Sequence, residues 1–246
     1  MPLPGVPEVE PGNDLAQVIA EGVTAAKLEV SNGDVLVVAQ KAVSKAEGRL
    51  RPLAQIKPAD RAQELAAKLD KDPRMVQLIL DESSEVLRAE RGVLITRTSQ
   101  GFVCANAGVD SSNVPEGMVS LLPEDPDASA RRLRADLRRR LGAAPAVVIS
   151  DSFGRPWRLG QTEVAVGCAG LKPIEDLRGQ QDALGRELAA TLPAIADEAA
   201  SAAGLVRAKG GREAVVLVRG LERHVSDADG PGAAALLRPR ADDLFT

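Results

Sequence analysis

Six short runs rich in β-branched and apolar residues, at 34–39, 92–98, 102–105, 146–150, 163–167 and 214–219, constrain this fold more than any other feature, because each reads as a strand. Between them, apolar residues at helical spacing predict helices over 14–25, 59–69, 73–89, 128–141 and 182–203. Strand and helix do not alternate cleanly. Residues 92–105 read as a hairpin turning on Ser99-Gln100-Gly101, which argues against a simple doubly wound sheet. The expected class is α+β, with mixed sheets and helices.

No period of repeat-protein length recurs and no low-complexity linker divides the chain, so 1–246 reads as one unit. The stretch Leu122-Pro123-Glu124-Asp125-Pro126-Asp127 is the best boundary between two lobes, since its prolines stop one helix and its acidic residues cap the next; a surface loop would use the same residues. After Leu221 the chain is rich in Gly and Asp before a short Ala-Leu helix.

At 246 residues, 44% of them hydrophobic and with a net charge of only -4, the chain can bury a core without staples and is no disordered polymer. Cys104 and Cys168 both sit in apolar runs, where a thiol behaves as a small hydrophobe; this suits a reducing, cytoplasmic compartment. No apolar stretch has the length a bilayer requires, and the proline-rich first twelve residues carry no basic region of a signal peptide. A membrane protein or an exported one is therefore not expected. Nucleic acid is also disfavoured, because there are three Phe, one Trp and no Tyr to stack bases. The arginines of 131–140 interleave with Leu133, Leu137 and Leu141 at helical spacing and read as a solvated helix face.

Neither a Gly-x-x-x-x-Gly-Lys-Ser/Thr loop nor a strand-borne Gly-x-Gly-x-x-Gly is present, so any nucleotide binds by another route. The only histidine, His224, lies in a polar segment without a nucleophile and reads as a surface residue. Three segments follow apolar strands and carry hydroxyls, carboxylates or cations. Residues 40–49 bring Gln40, Lys41, Ser44, Lys45 and Arg49 to the mouth of the strand at 35–39, where they can hold phosphate or carboxylate oxygens, although a polar turn leaving a strand looks the same. Residues 106–113 offer Asp110 and Asn113, a donor pair for a hard divalent cation or, equally, an Asx-turn. Residues 147–155 present Asp151 and Ser152 at another strand end, with Arg155 and Arg158 following. Two strand-end aspartates with neutral oxygen partners are what a phosphate-bridging Mg²⁺ or Mn²⁺ requires. Spacing alone reaches a metal-phosphate enzyme and no further.

Val43-Ser44-Lys45-Ala46-Glu47-Gly48-Arg49, the segment 106–113, Asp151-Ser152-Phe153-Gly154-Arg155 with Arg158 and Gly160, and Asp182-Ala183-Leu184-Gly185-Arg186-Glu187-Leu188 resemble, in order, the motifs of the coenzyme F-420:L-glutamate ligases. The similarity runs from about Pro4 to Leu221, and four ordered motifs are far more specific than one glycine loop. The resemblance implies a two-domain α+β subunit of unusual topology, paired as an intertwined homodimer. It also implies GTP in a cleft, two divalent ions, Mg²⁺ or Mn²⁺, at the phosphates, and K⁺. Carried over by position, Asp110 and Asp151 hold the first metal and Ser152 reaches the second. Gln40, Lys41, Lys45 and Asn113 contact GTP, with backbone from Val6, Pro7, Glu8 and Val9 along the nucleotide and the loop Val206-Arg207-Ala208-Lys209-Gly210-Gly211-Arg212-Glu213 closing on it.

The implied partners are GTP, L-glutamate and the deazaflavin precursor F-420-0. GTP converts the terminal carboxylate of the precursor to an acyl phosphate, and glutamate then adds through a γ-linked amide. Lys45, Arg155 and Arg158 are the implied catalytic cations, the arginines matching substrate carboxylates or a phosphodiester with their planar forks. One position departs from the family: a glycine-flanked Glu or Gln that helps hold the second metal is replaced by Ala208, with Arg207, Lys209 and Arg212 around it. A weaker or absent second metal follows, offset by Lys209 or Arg212 on the nucleotide, or else by water completing the ion's shell. The chain carries no counterpart of the reductase-like extension fused to some relatives. A paralogue acting on another small carboxylate and a silent nucleotide-binding subunit are the competing readings.

Overall fold

The computed structural model describes residues 1–208 and 213–243. In chain order the elements are α1 (Leu15–Ala25), β1 (Val35–Ala39), α2 (Gln40–Ala46), β2 (Leu50–Pro52), α3 (Asp60–Leu69), α4 (Pro73–Asp81), β3 (Ser83–Glu90) and β4 (Val93–Thr98). They continue with β5 (Val103–Ala105), β6 (Met118–Ser120), α5 (Pro126–Leu141), β7 (Ala146–Arg155), β8 (Arg158–Ala169), α6 (Ile195–Val206) and β9 (Val215–Val218). The fold is mixed α+β, as expected.

Its centre is a sheet in the order β8-β7-β1-β9, with β1 parallel to β7 and antiparallel to β9. Strand β1 shows no polar alternation because both of its faces are buried. Leu36 and Val38 enter a cluster with Ile19 of α1 and Leu133 and Leu137 of α5, while Val35 and Val37 enter another with Ala196, Ala200 and Ala203 of α6. A third cluster, built from residues of α3, α4, β4 and β6, includes Ala66, Ile79, Leu94 and Val119. The chain passes between clusters at adjacent residues: Leu121 belongs to the third and Leu122 to the first. Just beyond, the Asp125 carboxylate caps α5 by accepting from Ala128 N at 2.8 Å. The hairpin expected at 92–105 forms, and Phe102 at its turn meets Phe153 of β7 edge-on, with ring centres 6.4 Å apart.

Four local expectations are corrected. The helix predicted over 73–89 stops at Asp81, and Ser83–Glu90 pairs with β4 instead. Ser83 Oγ bonds back to Ile79 O at 2.5 Å, ending the helix, and pairing with β4 outweighs the weak helical pattern beyond it. The helix predicted over 182–203 begins only at Ile195. Pro193 precedes it, and the Asp182 carboxylate accepts from the backbone of Leu184 and Arg186 to form a turn. The polar segment after β1 is helix α2. His224 is buried, at 3% exposure, not on the surface. Strands β7 and β8 also run longer than the apolar runs that announced them, forming one hairpin whose tip leaves Trp157 and Leu159 exposed.

Candidate active site

Strand β1 ends at Ala39 opposite Ser150 of its parallel neighbour β7, and the backbone leaves the sheet there while β7 runs on to Arg155. After β1 the chain enters α2, where Lys41 and Lys45 lie four residues apart and so share one helix face. Strand β5 ends in a turn with Asn106 at φ 54, Ala107 at φ 53 and Gly108 at φ 71. Two consecutive non-glycine residues in left-handed geometry cost about 1 kcal/mol or more each. Beyond that turn Asp110 is fixed by a reciprocal backbone bridge to Ser120, at 3.1 and 2.8 Å. Strand β7 contributes Ser150, Asp151 and Ser152, and β8 contributes Glu163. With Pro7, Glu8 and Val9 across the mouth, these residues line a cleft of about 940 Å³.

Lys41 Nζ donates to Asp110 Oδ2 at 2.5 Å and also to Ser112 Oγ. Burial opposes ionisation of Asp110, but the bonds from Lys41 and Ser112 outweigh it and hold its carboxyl below the ordinary aspartate range. Asp151 goes the other way: burial pushes it up to about 6, the Ser152 backbone opposes this, Glu163 and Asp110 repel its charge, and Lys41 compensates only in part. Lys45 pairs with Glu8 across the cleft. Glu163 accepts from Ser150 at 2.8 Å, from Ser152 at 2.5 Å and from Arg207 at 3.1 Å.

This donor set fits a hard divalent cation. Among the described residues no three acidic, thiol or imidazole groups converge on a protein-only cage. Mg²⁺ and Mn²⁺ sites of the phosphate-bridging kind use one or two carboxylates and leave the other positions to water and phosphate. The under-compensated charge at Asp151 and the partnerless, buried Asn106 Oδ1 in the cleft wall are groups that a cation or a ligand donor would satisfy.

Residues 5–220 match the family model described as F420-0:Gamma-glutamyl ligase. The chain belongs to this family. It is 45% identical to the coenzyme F420:L-glutamate ligase of Methanopyrus kandleri, over 99% of this chain and 96% of that one. It is 43% identical to the protein of the same name from Methanothermobacter thermautotrophicus, over 98% and 96% of the two chains, and 43% to that of Haloarcula marismortui, over 98% and 92%.

Most residues singled out for this family do meet in the cleft: Pro7, Glu8, Val9, Lys41, Lys45, Asp110, Asn113, Asp151, Ser152, Arg207, Ala208 and Glu213. Val6 instead lies in the core cluster beneath α1. Gln40 is buried away from the cleft lining, its amide donating to Ser44 Oγ at 2.5 Å and Leu121 O at 3.0 Å. Arg155 and Arg158 stand exposed at the tip of the β7–β8 hairpin, where Arg155 donates to Leu159 O at 2.9 Å. Val206 is exposed at the end of α6. Lys209, Gly210, Gly211 and Arg212 lie outside the described residues. The cleft adds residues not singled out from the sequence, chiefly Ser150, Glu163 and Cys104. Glu163 opens an otherwise apolar strand run, and a lone carboxylate there carries no spacing signal. Cys104 and Cys168 are both free and buried, and burial pushes each thiol up to about 12. Among the described residues no helix is long and apolar enough to cross a membrane.

Proposed function

We propose that this chain is a GTP-dependent ligase that joins L-glutamate through a γ-linked amide to the deazaflavin precursor F-420-0. The observation that carries the reading is that Asp110, Asp151, Lys41 and Lys45, from three separate segments, line one cleft, in a chain of this family. The names of the relatives supply the acceptor and the amino acid.

In this reaction the terminal carboxylate of the precursor attacks the γ-phosphorus of GTP, the bond to the bridging oxygen breaks, and GDP leaves. The α-amine of glutamate then attacks the acyl carbon of the resulting acyl phosphate, gives up a proton to solvent and expels inorganic phosphate. Phosphorylation replaces a poor leaving group with a good one. Lys41 and Lys45 neutralise phosphate oxygens, and the segment 7–9 lies along the nucleotide. Asp110, Asp151 and Ser152 would hold the divalent cations, which supply charge screening on the phosphates when bound. A potassium ion and a homodimeric assembly belong to the same proposal.

The test is to incubate the protein with GTP, Mn²⁺, L-glutamate and the deglutamylated coenzyme. Product heavier by whole glutamate units, with GDP and phosphate released in equal amounts, is expected. Nucleotide binding without any product would sink the reading.

A further inference from the structure

One face of β7 carries a hydrogen-bond network centred on Glu163, a residue to which the reaction above gives no role. Residues two apart on a strand share a face, so Ser150 and Ser152 both look toward α6 and toward Glu163, the cross-strand partner of Ser152. Glu163 Oε1 accepts from Ser152 Oγ at 2.5 Å, and Oε2 accepts from Ser150 Oγ at 2.8 Å and from Arg207 Nη1 at 3.1 Å. The Glu163 and Arg207 side chains are only 14% and 13% exposed, so the pair is largely shielded from water. Arg207 is itself tied to Glu213 O, Ser150 Oγ and Val37 O, which fixes the cation that balances Glu163. Helix α6 makes room at Gly204, where a Cβ would stand 2.5 Å from Glu163 Cγ. An acidic side chain held at both oxygens, with a cation behind it and a glycine beneath it, is a constructed feature of the cleft wall.

We infer that Glu163 is a positioning residue, whose carboxylate accepts hydrogen bonds from the hydroxyls of Ser150 and Ser152 and so orients the Ser152 oxygen as a donor atom for a divalent cation. The inference rests on the ligase reading for the role of Ser152. A carboxylate can only accept, so a serine hydroxyl bonded to it must donate, and any further contact of that oxygen is made as an acceptor, the role a hard cation requires. Ala208 has no side-chain oxygen to offer, and its N–H is bound to Glu213 Oε2 at 2.7 Å. Among the described residues, Ser152, oriented by Glu163, then offers an oxygen to that end of the site.

The experiment titrates Mn²⁺ into the full chain with saturating GTP and no F-420-0 or glutamate, following free Mn²⁺ by electron paramagnetic resonance. Glu163→Gln, which keeps its amide oxygen on Arg207 and Ser150 and so turns its NH2 toward Ser152, should weaken one Mn²⁺ about 10- to 100-fold. Ser152→Ala should weaken the same ion, and the double variant should be no worse than the single ones, because both act through one hydroxyl. Glu163→Asp, too short to reach both serines, should recover part of the loss. Wild-type affinity in either Glu163→Gln or Ser152→Ala, or additive losses in the double variant, overturns the role. A wild type that binds Mn²⁺ but makes no product defeats the ligase reading, while the same titration still decides Glu163.

Discussion

Asp110 and Asp151 reach the cleft by different routes: Asp110 sits beyond a left-handed turn, locked by backbone bonds to Ser120, and Asp151 sits on a strand that continues past its apolar run. Neither side chain is part of an apolar cluster, so removing either should leave the fold intact. Asp110→Ala and Asp151→Ala are each expected to lower turnover by more than ~100-fold, since on the proposed reading each is a direct metal ligand, whose loss should exceed the 10- to 100-fold typical of outer-shell changes. The Asp151 charge is opposed by burial and, less, by Glu163 and Asp110, so Asp151→Asn should raise the melting temperature of the metal-free protein while abolishing activity, the usual conflict between stability and function. A melting temperature below wild type would show that the repulsion is compensated. Gly204→Ala is a second test at this scale. Alanine ordinarily stabilises a helix interior by about 1 kcal/mol over glycine. Here the contact with Glu163 Cγ should reverse the sign and cost about 1–3 kcal/mol by denaturant melts.

Helix ends are where single residues control whole elements. Asp14 caps α1 through Gln17 N at 2.9 Å, and Asp72 caps α4 through Arg74 N at 2.8 Å. The Gln17 backbone bond holds Asp14 below the usual aspartate range, and the Arg74 side chain does the same for Asp72. Both carboxyls are depressed in the folded state, so their stabilisation is present above about pH 4, the unfolded value, and disappears as pH falls through the folded values. Asparagine caps a helix equally well but does not titrate. The variant carrying Asp14→Asn and Asp72→Asn should therefore lose less stability than wild type between pH 5 and pH 2, measured by urea midpoints. Helix α5 is anchored differently: Arg134, whose side chain is 6% exposed, donates to Pro145 O at 3.2 Å, Ser226 O at 2.6 Å, Asp227 O at 3.0 Å and Asp229 Oδ1 at 2.8 Å. Arg134→Met would strand those acceptors and should cost about 3 kcal/mol in chemical denaturation. An unchanged midpoint would mean that water replaces every one of those bonds.

For the whole molecule, the cleft draws residues from the segment 7–9, α2, the turn after β5, the β7–β8 hairpin and the end of α6, so a bound ligand ties together parts far apart in the chain. A ligand that binds only the folded state at 100 times its Kd adds about 2.7 kcal/mol. At roughly 2–4 °C per kcal/mol for a chain of this size, GTP with Mn²⁺ should raise the melting temperature by about 5–11 °C. GTP alone and Mn²⁺ alone should each do much less, because Asp110 and Asp151 repel phosphate until a cation intervenes. A shift no larger than that of GTP alone would count against a shared metal-nucleotide site.

Local pattern and chemistry were enough for much of this protein. The apolar runs at 34–39, 92–98, 102–105, 146–150, 163–167 and 214–219 located six strands, the Ser99-Gln100-Gly101 turn located the hairpin, and Lys41, Lys45, Asp110 and Asp151 stood out as polar groups following strands. Those features depend on near neighbours, so they can be read along the chain. Where the answer depended on distant partners, the sequence was silent or misleading. Pairing with β4 made 83–90 a strand, tertiary packing buried His224, and the end of β1 beside Ser150 of β7 decided which polar groups would meet. Tertiary structure alone gave Glu163 its partners, because Ser150, Ser152 and Arg207 reach it from 13, 11 and 44 residues away. It likewise turned Gln40 from the cleft to Leu121 O, 81 residues distant. A carboxylate in a strand has no meaning in isolation; what surrounds it once the sheet has closed determines whether it is solvated, paired or set to orient another group.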